Sequence, residues 1–174
     1  MIVGDALRRH RISAVLTGGA CAAFHTGGSY QSVDVDFVLS GSVTQKQLDA
    51  AMNSVGFVRR RDRYVNPAHE FFVEFPRGPL AIGGDTAILP RRTNRGPRTA
   101  WMLSPTDSCR DRLAAYFHWN DRQSLAVAVE IASRQPVSFV KIRRWSAAEG
   151  ALEKYAEFLT AARKRSRGRQ KTGR

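Results

Sequence analysis

The sequence predicts an α/β half followed by an all-helical half. Strand-like and helix-like segments alternate through the first hundred residues, and the composition shifts after Leu103, beyond which the signals are helical alone. A length of 174 residues with 43% hydrophobic content suits a packed body rather than a disordered chain. The expected boundaries are an α/β core over 1–103, a helical region over 104–162, and a disordered basic tail over 163–174.

ISAVLT at 12–17 reads as a short buried strand, broken by Gly18-Gly19. ACAAFHT at 20–26 reads as a short helix ended by Gly27-Gly28, and VDVDFVL at 33–39 as a second strand rich in β-branched residues. Thr44 with Gln47 three residues later forms a capping box, opening a helix that runs to about Val55 and stops at Gly56. Strand-like pieces follow at 57–61, 63–66 and 70–75. Proline and glycine then make 76–98 mostly loop and short strand. Ser104-Pro105-Thr106-Asp107 places a cap, a first-turn proline and an acid together, so a long helix is expected from Pro105 to about Ser133. Two more helices are expected near 138–149 and 151–163, parted by Gly150. The last segment, RKRSRGRQKTGR, holds seven basic residues and nothing to bury, which predicts disorder.

Charge narrows the partners. Lys and Arg number 28 against 15 Asp and Glu, a net charge of +13, and the chain stays basic without its tail. Such a balance favours polyanions. Cys21 and Cys109 lie far apart in no CxxC pattern, so neither a disulfide scaffold nor a cysteine zinc site is expected. MIVGDALRRHR has no apolar core of a secretory signal, and no apolar run reaches the roughly 18 residues of a membrane span. A cytoplasmic protein is expected.

The chemistry concentrates in GGACAAFHTGGSYQSVDVDF, Gly18 to Phe37. Glycines without a Cβ let a phosphate approach the backbone, and the start of the next helix offers N–H groups and a positive dipole end. Asp34 and Asp36 are two apart on a strand, hence on one face about 6.6 Å apart. Two carboxylates so placed suit hard cations such as Mg²⁺, and a Mg²⁺–triphosphate is the matching ligand. Val33, Val35, Phe37, Val38 and Leu39 flank them, so burying the acids without counter-ions would be costly. A solvated strand face is the plain alternative. Neither a Walker A loop nor GxGxxG is present.

Residues 18–37 resemble the signature of the nucleotidyltransferase superfamily: paired glycines, a short helix, then acid-x-acid on the next strand. They are most similar to the AbiEii/AbiGii-type branch of toxin–antitoxin and abortive-infection systems, where Ser32, Asp34 and Asp36 match and Tyr30 stands where an arginine is common. The resemblance implies an α+β fold, a nucleotidyltransferase-like mixed sheet with flanking helices followed by a C-terminal helical bundle. It implies a third acid on a later strand, and HEFFVEFP offers Glu74, with Glu70 as runner-up. SPTDSCRDRLAAYFHWNDRQSL resembles the superfamily's second region, which implies a triphosphate contact from Arg112 and places Ala115 and Asp121 in the motif. Gly18, Gly19 and Ser32 would bind the nucleotide.

The implied activity is transfer of an NMP from an NTP to an acceptor hydroxyl, with Mg²⁺ or Mn²⁺ held by Asp34, Asp36 and Glu74. The acceptor would be RNA, tRNA favoured by the resemblance, or protein, and an antitoxin is a possible partner. Arginine-rich runs with Arg59, Arg60, Arg61 and Arg63, and with Arg91, Arg92, Arg95 and Arg98, are expected to meet nucleic acid. A second hypothesis is a catalytically weak nucleic-acid or partner-binding module. A third, an aminoglycoside-modifying enzyme, fits poorly with a basic tail. Tyr116 and Trp119 are expected to be packing residues.

Overall fold

The computed structural model describes residues 1–172, with side chains described through Gly168. The chain divides into two compact units. One comprises 1–21, 31–81 and 86–104; the other comprises 22–30, 82–85 and the chain from Pro105 onward.

The first unit is built on a seven-stranded mixed sheet. Its strands are β1 (Ser13–Leu16), β2 (Asp34–Ser40), β3 (Val58–Arg60), β4 (Arg63–Val65), β5 (Phe72–Glu74), β6 (Arg91–Arg95) and β7 (Arg98–Met102), in the order β3-β4-β5-β2-β1-β7-β6. β1–β7 and β2–β5 are parallel, and the other pairs are antiparallel. Val15, Leu16, Phe37, Val38 and Val73 are buried, as the apolar runs of the central strands require. Helix α1 (Ile2–Arg9), for which the sequence carries no clear cap signal, buries Val3, Ala6 and Leu7. Gly4 lets it lie close to the sheet, since a Cβ there would stand 2.6 Å from that of Ala100. Helix α2 (Gly18–His25) starts in this unit and ends in the other.

Helix α3 (Gln45–Asn53) has the expected capping box, with Thr44 Oγ1 accepting from Gln47 N and Gln47 Oε1 accepting from Thr44 N. Gly56 ends the region with φ +80. Tyr64 donates its hydroxyl to Asp49 at 2.5 Å, bracing β4 against α3; burial, then that hydrogen bond, pushes the tyrosine pKa up.

The second unit corrects the single helix expected over 105–133. The structure has α4 (Pro105–Trp119) and α5 (Arg122–Arg134). Asn120 turns the chain at φ 54, in the left-handed region that Asn tolerates. Asp121 then caps α5, accepting from Gln123 N at 2.9 Å and Ser124 N at 3.1 Å. Asn-Asp is thus a stop followed by a start. Trp119, at the end of α4, is 78% exposed and is not a packing residue, whereas Tyr116 is buried.

Helix α6 (Phe139–Ala148) is capped by Ser138 Oγ, and Gly150 at φ +68 separates it from α7 (Leu152–Thr172). The core here includes Leu113, Ile131, Ile142 and Phe158. Arg110 is fully buried, bonded to Asp107 at 2.8 Å and to Asp85, with its guanidinium 5.1 Å from the Trp145 ring centroid. Trp145 Nε1 donates to Ile82 O at 3.1 Å, so 82–85 is held within this unit. Residues 22–30 are held likewise, by Gln135 Nε2 on His25 O and Ser29 Oγ on Glu130.

The basic segment from 163 differs from the disorder expected of it. It continues α7 to Thr172, and residues 173–174 lie outside the described residues. A segment with nothing to bury can still extend a helix already nucleated, and Arg, Lys and Gln are good helix formers. Arg165 also pairs with buried Glu130.

Hydrogen bonds from Ser124 hold the Asp121 carboxyl below the ordinary carboxylate range. Asp121→Ala is expected to lower stability by about 1 kcal/mol at pH 7, measured by urea unfolding. The lowered pKa makes this contribution complete above about pH 3.9 and lost as the pH falls through the folded-state value, so wild type and variant should converge in acid.

Candidate nucleotide and metal site

The site is set by how β1 hands over to α2. β1 pairs with β2 up to Leu16↔Phe37, and the pattern continues one step as Thr17 N donates to Asp36 O at 2.9 Å. The chain then turns at Gly18, φ +63, where side chains are strained. A Cβ on Gly18 would stand 2.4 Å from Asp36 Oδ2. The missing side chain therefore makes room for the Asp36 carboxylate at the start of α2. The first bond closing the helix runs from Cys21 N to Thr17 O at 3.2 Å, so the N–H groups of Gly18, Gly19 and Ala20 belong to the opening turn, where no helix carbonyl serves them. Gly18 and Gly19 are both buried.

Asp34 and Asp36 point to the same side of β2 by its two-residue repeat. The parallel partner β5 aligns Asp34 with Phe72 and Asp36 with Glu74. Paired residues on adjacent strands, about 4.8 Å apart, share a face, so Glu74 joins the two aspartates there. All three are half-buried. Ser32 Oγ donates to Asp34 Oδ1, which orients that carboxylate. Glu70 precedes β5 and is exposed, outside this register.

Among the described residues no three His, Cys, Asp or Glu side chains are grouped tightly enough to cage a metal ion. Mg²⁺ does not require such a cage. It keeps several waters and takes one or two carboxylates together with phosphate oxygens. Two hard-oxygen aspartates beside a glycine cradle fit that demand.

The remaining expected residues are carried by other elements. Arg112, on α4 in the second unit, donates to Asp111 Oδ2 from Nε at 3.0 Å and Nη2 at 2.7 Å. Arg59, Arg60 and Arg61 sit on the β3–β4 hairpin, and Arg91, Arg92 and Arg95 on β6, at opposite edges of the sheet. Thr17 is the residue that the sequence alone does not single out. It is buried, and its backbone binds Asp36; a threonine closing a strand before paired glycines is the signal it leaves.

No protein-family model matches the chain, and no curated protein matches it in sequence. One solved structure similar to it is a crystal structure of ANT(2″)-Ia in complex with adenylyl-2″-tobramycin, at 14% identity and a TM-score of 0.44, with 94% of each chain covered. Chemistry does not follow from likeness at that level. Among the described residues no helix is long and apolar enough to cross a membrane.

Gly18→Ala is expected to destabilise the fold by at least about 1 kcal/mol, from the left-handed φ alone, with the clash against Asp36 adding to it. Urea unfolding measures the loss; unchanged stability would mean that Asp36 does not pack against this glycine.

Proposed function

We propose that the chain is a metal-dependent nucleotidyltransferase that moves an NMP from an NTP to an acceptor hydroxyl. The observation that carries this reading is the Asp36 carboxylate seated against Gly18 at the start of α2, with Asp34 and Glu74 on the same sheet face. It joins an anion-accepting helix start to hard-oxygen ligands, the two halves of a metal–triphosphate site. The sequence resemblance of residues 18–37 points the same way.

Asp34 and Asp36 would hold Mg²⁺ or Mn²⁺, which when bound supplies Lewis-acid neutralisation of phosphate charge. Ser32 keeps Asp34 oriented as an acceptor. The opening N–H groups of α2, at Gly18 and Gly19, orient the triphosphate. Glu74 completes the carboxylate set and takes the proton of the acceptor hydroxyl. The acceptor oxygen bonds to the α-phosphorus as the bond to pyrophosphate breaks, in line. A phosphate contact from Arg112 is what the resemblance alone implies. RNA is the favoured acceptor class, with tRNA first, in keeping with the +13 charge. On this reading the protein acts in the cytoplasm, as a toxin or phage-defence component with an antitoxin partner.

The second reading is a binding module of little turnover. It is favoured by one observation, that Arg112, the expected triphosphate contact, is engaged by the neighbouring Asp111 carboxylate.

Incubation with Mg²⁺, each α-³²P-labelled NTP, tRNA and cell extract decides between them. Label should pass to RNA or protein with the wild type. Asp34→Ala and Asp36→Ala should each slow transfer by at least about a hundredfold, the scale of several kcal/mol of lost charge stabilisation. Transfer that survives both substitutions would overturn the site. Binding of Mg²⁺–NTP without any transfer would favour the module.

A further inference from the structure

We propose that the β3–β4 hairpin is a phosphate-backbone site for RNA, built from Arg59, Arg60, Arg61 and Arg63 at the edge of the sheet. The transferase reading enters only in naming RNA as the polyanion.

All four arginines are exposed and line one concavity. The hairpin register sets Arg60 directly opposite Arg63, a like-charge pair that destabilises a bare ladder. Arg61 occupies the turn at φ 59, a conformation that costs any residue with a Cβ. Two unfavourable choices in one turn mean that its charge has a use. Among the described residues none of the four is paired with a carboxylate within 4 Å. Asp49 feels the charge of Arg59, but its carboxylate is engaged by Tyr64 and Gln45. Asp62 is the one acid of the turn and cannot balance four cations.

The geometry is ordered where it matters. The Arg63 guanidinium lies 4.5 Å from the centroid of the Phe72 ring, and Arg59 Nε donates to Arg61 O at 3.1 Å. Two arginines are thereby held in place, while Arg60 and Arg61 remain open to a ligand. Guanidinium forks suit the paired oxygens of phosphate.

The second arginine cluster has the same plan, since Arg95 opposes Arg98 across the β6–β7 turn. Its turn residues are Gly96 and Pro97, so it has neither the turn arginine nor its strain. The β3–β4 hairpin is therefore the stronger assignment.

The test uses the full chain and a fluorescein-labelled 20-nucleotide RNA, with affinity read by anisotropy from about 50 to 200 mM salt. Arg60→Gln/Arg61→Gln is compared with Arg143→Gln/Arg144→Gln, an equal charge loss at exposed positions on α6. Losing two phosphate contacts should lower the slope of log K against log salt by about 1.4, which makes the affinity lost over that range about sevenfold smaller. The α6 pair should leave the slope near wild type. Equal effects from both pairs would overturn the site in favour of diffuse charge. Equal competition by polyaspartate or by anionic vesicles would overturn the phosphate-backbone assignment. An unchanged slope with new self-association of the hairpin variant would mean that these arginines only guard a sheet edge. Loss of RNA binding without NMP transfer in any chain sinks the transferase and leaves the hairpin. Transfer to RNA with an unchanged slope does the reverse.

Discussion

The first unit depends on one close approach, that of Gly18 to Asp36. A backbone bond from Thr17 ties the end of β1 to β2, and the glycine that follows must be both left-handed and without a side chain. Either requirement alone would favour glycine. Together they fix where α2 begins and where the carboxylate stands. The same few atoms therefore settle a chain reversal, a helix start and the position of a charge, so none of the three can be changed independently.

Much of this was legible in sequence because its causes are local. Gly18-Gly19 as a break, Thr44 with Gln47 as a capping box, and the apolar run around Asp34 and Asp36 each act within a few residues, and each forms the expected element. An α/β half followed by helices came from the same kind of signal, and the mixed sheet from the resemblance of residues 18–37. The parallel alignment of Asp36 with Glu74 was less accessible, because it depends on pairing between strands far apart in sequence. Only the apolar-acid-apolar pattern around Glu74 hinted at it.

Where sequence and structure part, the reason is competition between signals. Apolar periodicity carries across Asn120 and Asp121, so the left-handed turn and new cap were hidden inside one apparent helix. The exposure of Trp119 follows from that hidden end, since a helix terminus has fewer neighbours to cover an aromatic ring. At the C-terminus, composition argued for disorder, but the preceding helix supplies the nucleus and Glu130 supplies an anchor for Arg165. Buried Arg110 has a comparable lesson. Its sequence neighbourhood looks like a charged helix face, yet Asp107 and Asp85 neutralise it and Trp145 covers it.

The β2–β5 pairing has a thermodynamic consequence. Asp36 and Glu74 become neighbours only when the intervening chain, including α3 and the β3–β4 hairpin, has closed the loop between them. An unfolded chain has no comparable concentration of carboxylate. A ligand that engages both strands therefore binds the folded state alone and acts as a clasp on the sheet, contributing about 2.7 kcal/mol of stability when present at a hundred times its dissociation constant. Melting temperature then becomes a gauge of how fully such a ligand is bound.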